Sequence, residues 1–304
     1  MPQARSTTPA ATRGPARRLT LLLAWVFLVE LIVAAAVPLE AGRGVGIRPA
    51  QLVTPTRTQA SATTKSLAVG DRTVRLAGFG GPASDRLLSR LASDAGAAID
   101  AVEGFWGVQW SREISLVAAR TDEEFRAAAG GGPVAQWVDI AAVTVADRVD
   151  PPHRAAVGER IVFAPGAATM TEGALRIVLA HELFHYAARA ETAADAPRWL
   201  AEGVADFVAR PRTPVSADAL PVPLTLPSDA DLDAPGSQRS LAYDRAWWFA
   251  RFVADTYGAA KLRDLYLAVC GVRHTDVPAA VHDVLATDSA GLLARWHDWL
   301  THPG

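Results

Sequence analysis

The sequence predicts an α+β fold in which a small mixed β-sheet comes first and a helical half follows. Two observations support this prediction. Before residue 170, short apolar runs with strand character alternate with segments of helical spacing, and after Met170 nearly every segment has helical spacing. Strands that precede a run of helices are typical of α+β domains. With 304 residues, half of them hydrophobic, the chain is long enough to bury a large core.

The part before residue 170 is expected to supply the sheet. Runs rich in β-branched and apolar residues predict strands, and apolar residues spaced three or four positions apart predict helices. The predicted strands are Thr73–Leu76, Glu113–Ala118, Trp137–Val145 and Arg160–Phe163, and the predicted helices are Ala83–Val102 and Asp122–Ala129.

The part after Met170 is expected to be almost entirely helical. Its apolar spacing predicts six helices, at about 171–190, 197–210, 240–257, 259–269, 278–286 and 289–301. Residues 211–239 are dense in proline and aspartate, which favour turns, and they are predicted to form a loop.

The N-terminal 37 residues have the pattern of an export signal. Residues 1–18 carry four arginines and no acidic residue, and the run 19–37 is apolar apart from Thr20 and Glu30. A basic segment followed by an apolar stretch is typical of export signals. A helix over this run would span about 28 Å, close to the hydrocarbon thickness of a bilayer. We therefore expect export, with residues 1–18 on the cytoplasmic side.

Two fates of the apolar run fit the residues equally well. Glu30 is costly in lipid, and Ala34-Ala35-Ala36 fits a cleavage site, so the run can be a signal peptide that is removed. Its full length also suits a transmembrane anchor. Residues 38–65, rich in proline, threonine and alanine, are typical of a flexible linker, which leaves 66–304 as the folded domain. That domain is expected outside the cell, anchored or secreted.

Composition excludes some classes of partner and site. The net charge is −2 and no basic stripe is interleaved with aromatic residues, so nucleic-acid binding is not expected. Cys270 is the only cysteine, which excludes an internal disulfide and a cysteine-rich zinc site. A lone cysteine is more often a small buried apolar residue.

The segment from His181 to His185 contains the pattern H-E-x-x-H. Residues four apart lie on one face of a helix, so both imidazoles can bind one ion at about 2.0–2.1 Å. Glu182 follows the first histidine and is suited to accept a proton from a metal-bound water. The spacing of Thr169 and Glu172 predicts a capping box at the start of this helix.

The neighbours of the motif indicate that this helix is buried. Leu179, Leu183, Phe184 and Tyr186 are large and apolar or aromatic. Burying two histidines and a carboxylate without partners would cost several kcal/mol in folding free energy. A bound metal ion removes that cost, so the pattern predicts a metal site.

A second helix offers the third ligand. Pro197 suits a first helical turn and Pro211 closes the helix. Within it, Glu202 can complete a His-His-Glu site that leaves one position for water, as catalytic zinc requires. Asp206, four residues later, is suited to orient a ligand histidine. Gly203 is costly in the middle of a helix, which makes sense if the two motif helices approach closely.

These segments, HELFH and WLAEGVADF, resemble the gluzincin metallopeptidases, and most of all the bacterial peptidase MA-like domains related to thermolysin and the M1 aminopeptidases. The resemblance covers about residues 110–260. It implies a zincin-like fold, a Zn²⁺ cofactor and a peptide or protein substrate. Five residues match the family pattern: His181, Glu182, His185, Glu202 and Asp206.

The resemblance includes a tyrosine, Tyr243, but one motif of the M1 aminopeptidases is missing from this sequence. Tyr243 is similar in position to a tyrosine that stabilises the oxyanion in M1 enzymes, and it is equally well explained as an aromatic core residue. No G-x-M-E-N segment is present, so aminopeptidase activity is not implied. The family pairs its substrate with an edge strand, and either 137–144 or 160–163 is a candidate for that strand.

The sequence therefore predicts zinc-dependent hydrolysis of peptide bonds. Two alternatives stay open: a catalytically inactive, envelope-anchored binding module, and a zinc hydrolase of a non-peptide amide. Four further histidines have no partner at ligand spacing and are expected at the surface or in the core: His153, His274, His282 and His297.

Overall fold

The computed structural model describes residues 63–138, 140–150, 153–213 and 224–301, and it contains a five-stranded mixed sheet. The strand order is β1-β2-β3-β7-β4. Strands β2, β3 and β7 run parallel, whereas β1 and β4 run antiparallel to their single neighbours. A separate two-stranded sheet pairs β5 with β6. The strands are β1 (Thr63–Val69), β2 (Arg72–Gly78), β3 (Glu113–Ala118), β4 (Ala142–Val145), β5 (Arg148–Asp150), β6 (Ala155–Val157) and β7 (Arg160–Phe163).

Most of the helices follow the sheet in sequence, which agrees with the predicted α+β class. Only α1 and α2 come between strands. Helices α3, α4 and α6 pack in series, α3 on α4 and α4 on α6, and α1 packs against α3. The helices are α1 (Pro82–Trp106), α2 (Asp122–Ala128), α3 (Glu172–Ala188), α4 (Arg198–Ala209), α5 (Asp229–Leu232), α6 (Ser237–Tyr257), α7 (Ala259–Cys270), α8 (Val277–Leu285) and α9 (Ser289–Thr301).

The two faces of strand β4 pack in two different hydrophobic cores. Ala142 belongs to the main core, which contains buried residues of α1, α3, α4 and α6. Val143 and Val145 point to the other face and pack in a second core with Phe125 of α2. Because successive side chains of a strand alternate between faces, Thr144 lies on the same face as Ala142, toward α3.

The N-terminal predictions are only partly covered by the described residues. Residues 1–18, the apolar run 19–37 and most of the linker 38–65 lie outside them. Strand β1 pairs along its length with β2 and includes Thr63, Thr64 and Lys65, the last three residues of the predicted linker. Within the described ranges, no helix is long and apolar enough to cross a membrane.

The predicted strand Trp137–Val145 is wrong in its first half. Residues Val134–Trp137 form a 3₁₀ helix, and only Ala142–Val145 pairs as a strand. The indole of Trp137 packs edge-on against Phe125 at 5.6 Å and donates a hydrogen bond to the Gly131 carbonyl. Its burial therefore comes from the second core, and an apolar pattern alone does not distinguish this from strand pairing.

Three smaller predictions also need correction. The helix with the H-E-x-x-H motif is capped by Thr171, whose hydroxyl accepts from the Ala174 amide, and Thr169 lies in a preceding 3₁₀ turn. Pro197 caps α4 from outside its first turn. The predicted loop 211–239 contains α5, which begins with a capping box at Ser228. Strand β1 was not predicted from the sequence, and neither were strands β5 and β6, which are only three residues long.

Candidate metal centre

Helix α3 lies in the main core and carries the motif residues on buried faces. His181, Glu182 and His185 are 2%, 0% and 7% exposed. Helices α1 and α4 and strand β4 surround this part of α3. The burial expected from the neighbouring apolar residues is therefore confirmed, and these three polar side chains need partners in the protein interior.

Gly203 lets α4 pack closely against another helix. That helix is α6, and not α3 as expected. A Cβ atom added to Gly203 would lie 2.4 Å from the carbonyl oxygen of Ala246, which belongs to α6. The expected reason, a close approach of the two motif helices, is therefore wrong. The glycine lets α4 approach α6, and this packing fixes the position of Glu202 on α4.

The structure brings the three predicted ligands together. The Nε2 atoms of His181 and His185 lie 3.1 Å apart. Oε2 of Glu202 lies 3.3 Å from Nε2 of His181, and Oε1 lies 3.9 Å from Nε2 of His185. Among the described residues, these three form the one group of histidine, cysteine and acidic side chains that is arranged to hold a metal ion.

The distances between these atoms fit a zinc ion. Ligand atoms about 2.0–2.1 Å from a tetrahedral zinc ion stand about 3.3 Å apart. The three separations of 3.1, 3.3 and 3.9 Å are close to that value. Two imidazoles and one carboxylate also match the donor set of catalytic zinc sites with an open position. The residues present therefore fit the ion.

Asp206 orients His181, as the sequence analysis predicted. Nδ1 of His181 lies 3.0 Å from Oδ1 of Asp206. A carboxylate only accepts hydrogen bonds, so Nδ1 carries the hydrogen and Nε2 faces Glu202 and His185. Carboxylates that bind the far nitrogen of a ligand histidine fix its tautomer and ring orientation.

Asp206 is itself held by an arginine, Arg210. Arg210 donates to Oδ2 of Asp206 at 3.0 Å and to Oδ1 of Asp244 at 2.8 Å. Its guanidinium also lies 4.0 Å from the centre of the Trp247 ring. Burial alone would raise the pKa of Asp206, but Arg210 and His181 outweigh it and lower that pKa. Asp206 therefore stays an anion and keeps its role as an acceptor.

The pKa values of His181 and His185 are shifted in opposite directions. Burial disfavours the charge on His181, yet hydrogen bonds and charges from Asp206 and Glu202 raise its pKa well above the usual value. Burial, together with the charges of His181 and Arg189, lowers the pKa of His185 well below the usual value. Zinc ligands must be neutral histidines, so a metal ion at this site would compete with a proton for Nε2 of His181.

Glu182 faces strand β4. The Oγ1 atom of Thr144 lies 2.8 Å from Oε2 of Glu182 and 2.9 Å from its backbone carbonyl oxygen. The backbone carbonyl of Thr144 accepts a hydrogen bond of 2.6 Å from Arg189, one residue beyond α3. The catalytic candidate is therefore held by the edge strand of the sheet.

Four residues around the centre were not predicted from the sequence: Thr144, Arg189, Arg210 and Asp244. None is part of a recognisable motif. Thr144 had one available signal, since it is the polar residue of an otherwise apolar strand. Arg210 lies four residues after Asp206, and this spacing permits an ion pair on a helix.

Tyr243 lies on α6, and the other histidines of the described residues are not part of the ligand group. Tyr243 is 7% exposed on α6, among the residues of the main core. Four of the other histidines approach aspartates rather than a metal site: His153 with Asp150, His274 with Asp195, His282 with Asp283 and His297 with Asp298. Cys270 is fully buried, and burial raises the pKa of its thiol.

Comparison with known proteins adds no assignment to this geometry. No protein-family model matches the chain. No curated protein shows significant sequence similarity to it.

Proposed function

We propose that this protein is a zinc-dependent hydrolase of peptide bonds, with a zincin-like fold. The observation that carries the proposal is the set of three buried ligand atoms from His181, His185 and Glu202, separated by 3.1 to 3.9 Å, with Glu182 next to the first histidine. A binding module that uses zinc only for structure has no need of a carboxylate at this position. The resemblance to gluzincin peptidases supports the same proposal.

Each residue has a defined role in the proposed reaction. Zinc held by the three ligands would supply a Lewis acid that polarises the substrate carbonyl and lowers the pKa of water. Glu182 accepts a proton from the attacking water and passes it to the nitrogen of the leaving amine. Asp206 keeps His181 in the orientation that presents Nε2. Tyr243 is proposed to donate a hydrogen bond to the developing oxyanion.

Strand β4 is the proposed binding edge for the substrate. Strand β7 (Arg160–Phe163) is bonded on both sides, to β3 and to β4, so it has no edge for a further strand. Strand β4 is bonded to β7, and α3 packs next to it. Of the two candidates from the sequence, the segment that ends at Thr144 is therefore the one that supports pairing with an extended peptide. The expected export, with the domain outside the cell, stays part of the proposal.

The substitution Glu182→Gln tests this function. We expect the variant to bind zinc with wild-type stoichiometry and to lose about 100- to 10,000-fold in peptide hydrolysis, the usual contribution of a general base. Glu172→Gln is the matched control, because Glu172 lies on the same helix with its side chain 75% exposed. Zinc content would be measured by mass spectrometry and cleavage by digestion of a peptide library.

Two outcomes would contradict the proposal. If Glu182→Gln cleaves peptides at the wild-type rate, the general-base role is wrong. If zinc-loaded wild type cleaves no member of the library, the binding module or a non-peptide amide substrate replaces peptide hydrolysis. Loss of cleavage with a chelator and its return with added zinc would show that the ion is required.

A further inference from the structure

Thr144 is a polar residue in a strand that is otherwise apolar. Strand β4 reads Ala-Val-Thr-Val, and all four residues are buried, with Thr144 2% exposed. Its hydroxyl lies 2.8 Å from Oε2 of Glu182 and 2.9 Å from the Glu182 backbone oxygen. A hydroxyl on the other face of β4 would point into the second core, so the position of this threonine in the strand selects Glu182 as its partner.

The hydrogen of this hydroxyl has two acceptors within reach, and the carboxylate is the stronger. A hydroxyl has one hydrogen to donate. Bonds to an ionised acceptor are about twice as strong as bonds between neutral groups. The backbone oxygen of Glu182 lies inside α3, where the amide four residues later supplies the helical hydrogen bond. The hydrogen of Thr144 is therefore directed to Oε2 of Glu182.

The backbone of Thr144 is itself fixed on the side away from β7. The Ala164 amide bonds to the Ala141 carbonyl, so residues 141, 143 and 145 bond with β7 and the carbonyl of Thr144 points away from it. Arg189 donates to that carbonyl at 2.6 Å. Glu182 and Arg189 are seven residues apart, two helical turns, and they hold the same strand residue at its hydroxyl and its carbonyl.

A threonine suits this position better than a flexible polar residue. Its branched Cβ restricts the first side-chain torsion, so the strand backbone determines where the hydroxyl lies. A carboxylate held at one oxygen cannot rotate freely about its last side-chain bond, and the direction of its other oxygen is fixed as well. Since Glu182 is fully buried, its orientation depends on such protein contacts.

We propose that Thr144 is a positioning residue, which orients the carboxylate of Glu182 for proton transfer. This inference rests on the proposed function for its catalytic meaning, and on the contacts between Thr144 and Glu182 for its structural part. It assigns to the edge strand a second task besides substrate pairing. Thr144 acts through Glu182 and does not itself touch the reacting atoms.

The variants Thr144→Val and Thr144→Ser test the proposal. Valine has the shape of threonine without the hydroxyl, and serine keeps the hydroxyl. We expect Thr144→Val to lower kcat by about 10- to 100-fold, part of the contribution of a general base, with little change in KM or zinc affinity. Thr144→Ser should restore most of kcat. Thr192→Val is the control, since it removes a threonine hydroxyl that bonds to Ala188 and Tyr266.

Crystal structures of the zinc-loaded variants separate this inference from the proposed function. The carboxylate of Glu182 should turn in Thr144→Val and keep its wild-type orientation in Thr144→Ser and Thr192→Val. An unchanged carboxylate in Thr144→Val would overturn the inference, whether or not peptides are cleaved. An inactive wild type whose Glu182 turns in Thr144→Val would overturn the proposed function alone. Equal kcat values in Thr144→Val and wild type would overturn the positioning role while hydrolysis stands.

Discussion

Helix α3 is held on its α4 side and on its β4 side by two different kinds of network. On the α4 side, His181, Asp206, Arg210 and Asp244 form an unbroken series of charged hydrogen bonds between 2.8 and 3.0 Å. On the β4 side, Arg189 bonds to the Thr144 carbonyl, but its nearest acid, Glu159, is 3.9 Å away. The first network ends in the ion pair Arg210–Asp244, at 2.8 Å. The second ends in the wider pair Arg189–Glu159, at 3.9 Å.

This difference indicates a division of labour between the two sides. The α4 side fixes the ligands, since Glu202 and Asp206 both lie on α4 and Gly203 seats that helix on α6. The β4 side holds the proposed base through Thr144. Changes on the α4 side should therefore alter zinc affinity and the stability of the fold. Changes on the β4 side should alter turnover and the way in which stability depends on pH.

The largest expected effect on the α4 side is that of Asp206→Asn. Asparagine keeps an oxygen for the Nδ1 hydrogen of His181 but removes the negative charge and the ion pair with Arg210. Loss of such an outer partner typically weakens metal binding by about 10- to 100-fold. Competition with a chelator of known affinity would measure it. Wild-type zinc affinity in Asp206→Asn, or an equal loss in Thr144→Val, would contradict the division of labour.

Gly203→Ala should destabilise the fold through the packing of α4 on α6. The new Cβ would lie 2.4 Å from the Ala246 carbonyl oxygen, so α4 and α6 would have to separate. Overpacking of this kind typically costs about 1–3 kcal/mol in the free energy of unfolding. Thermal or denaturant unfolding would measure it. Gly104→Ala in α1 is the control, because its Cβ would meet nothing within 4 Å. Equal stability of the two variants would show that the helices separate without cost.

A pH-dependent effect is expected from the pair Arg189–Glu159 on the β4 side, whose atoms lie 3.9 Å apart. Burial raises the pKa of Glu159 to about 8 from a usual 4.5, although Arg189 opposes the shift. The folded chain keeps this proton between pH 4.5 and 8, whereas the unfolded chain releases it. The stability from neutral Glu159 is therefore complete below pH 4.5 and lost as the pH rises through about 8, with a slope of at most about 1.4 kcal/mol per pH unit.

Glu159→Gln should remove this part of the pH dependence. Glutamine stays neutral, so the stability of the variant should fall less than that of wild type between pH 5 and 8. The free energy of unfolding from urea titrations at several pH values would show it. Glu172→Gln, at an exposed position, should follow the wild-type curve. Parallel curves for Glu159→Gln and wild type would show that Glu159 is ionised throughout this range.

The helices and the ligand group were predictable because they depend on spacing along one chain. The interval of four between His181 and His185, and between Glu202 and Asp206, fixes a shared helix face before any tertiary contact is known. Apolar spacing likewise located α1, α6, α7, α8 and α9 to within a few residues. Local geometry determines these features, so the sequence displays them.

The contacts that hold the centre were not predictable, because they join residues distant in sequence. Thr144 and Glu182 are 38 residues apart, and Arg210 and Asp244 are 34 apart. Gly203 was expected to permit a close approach of α3 and α4, and only the packing of α4 identifies Ala246 of α6 as its neighbour. The strand Trp137–Val145 was misjudged for a similar reason, since Trp137 is buried by a second core that no periodicity indicates.

The division of the ligands between two helices has a consequence for when the ion can be acquired. His181 and His185 lie on α3 and Glu202 on α4, so the three donors meet only after these helices have packed. An unfolded chain in transit across a membrane has no such meeting point. If residues 19–37 direct export and the site binds zinc, as proposed, loading follows folding at the destination, and the zinc supply of that compartment sets the occupancy of the site.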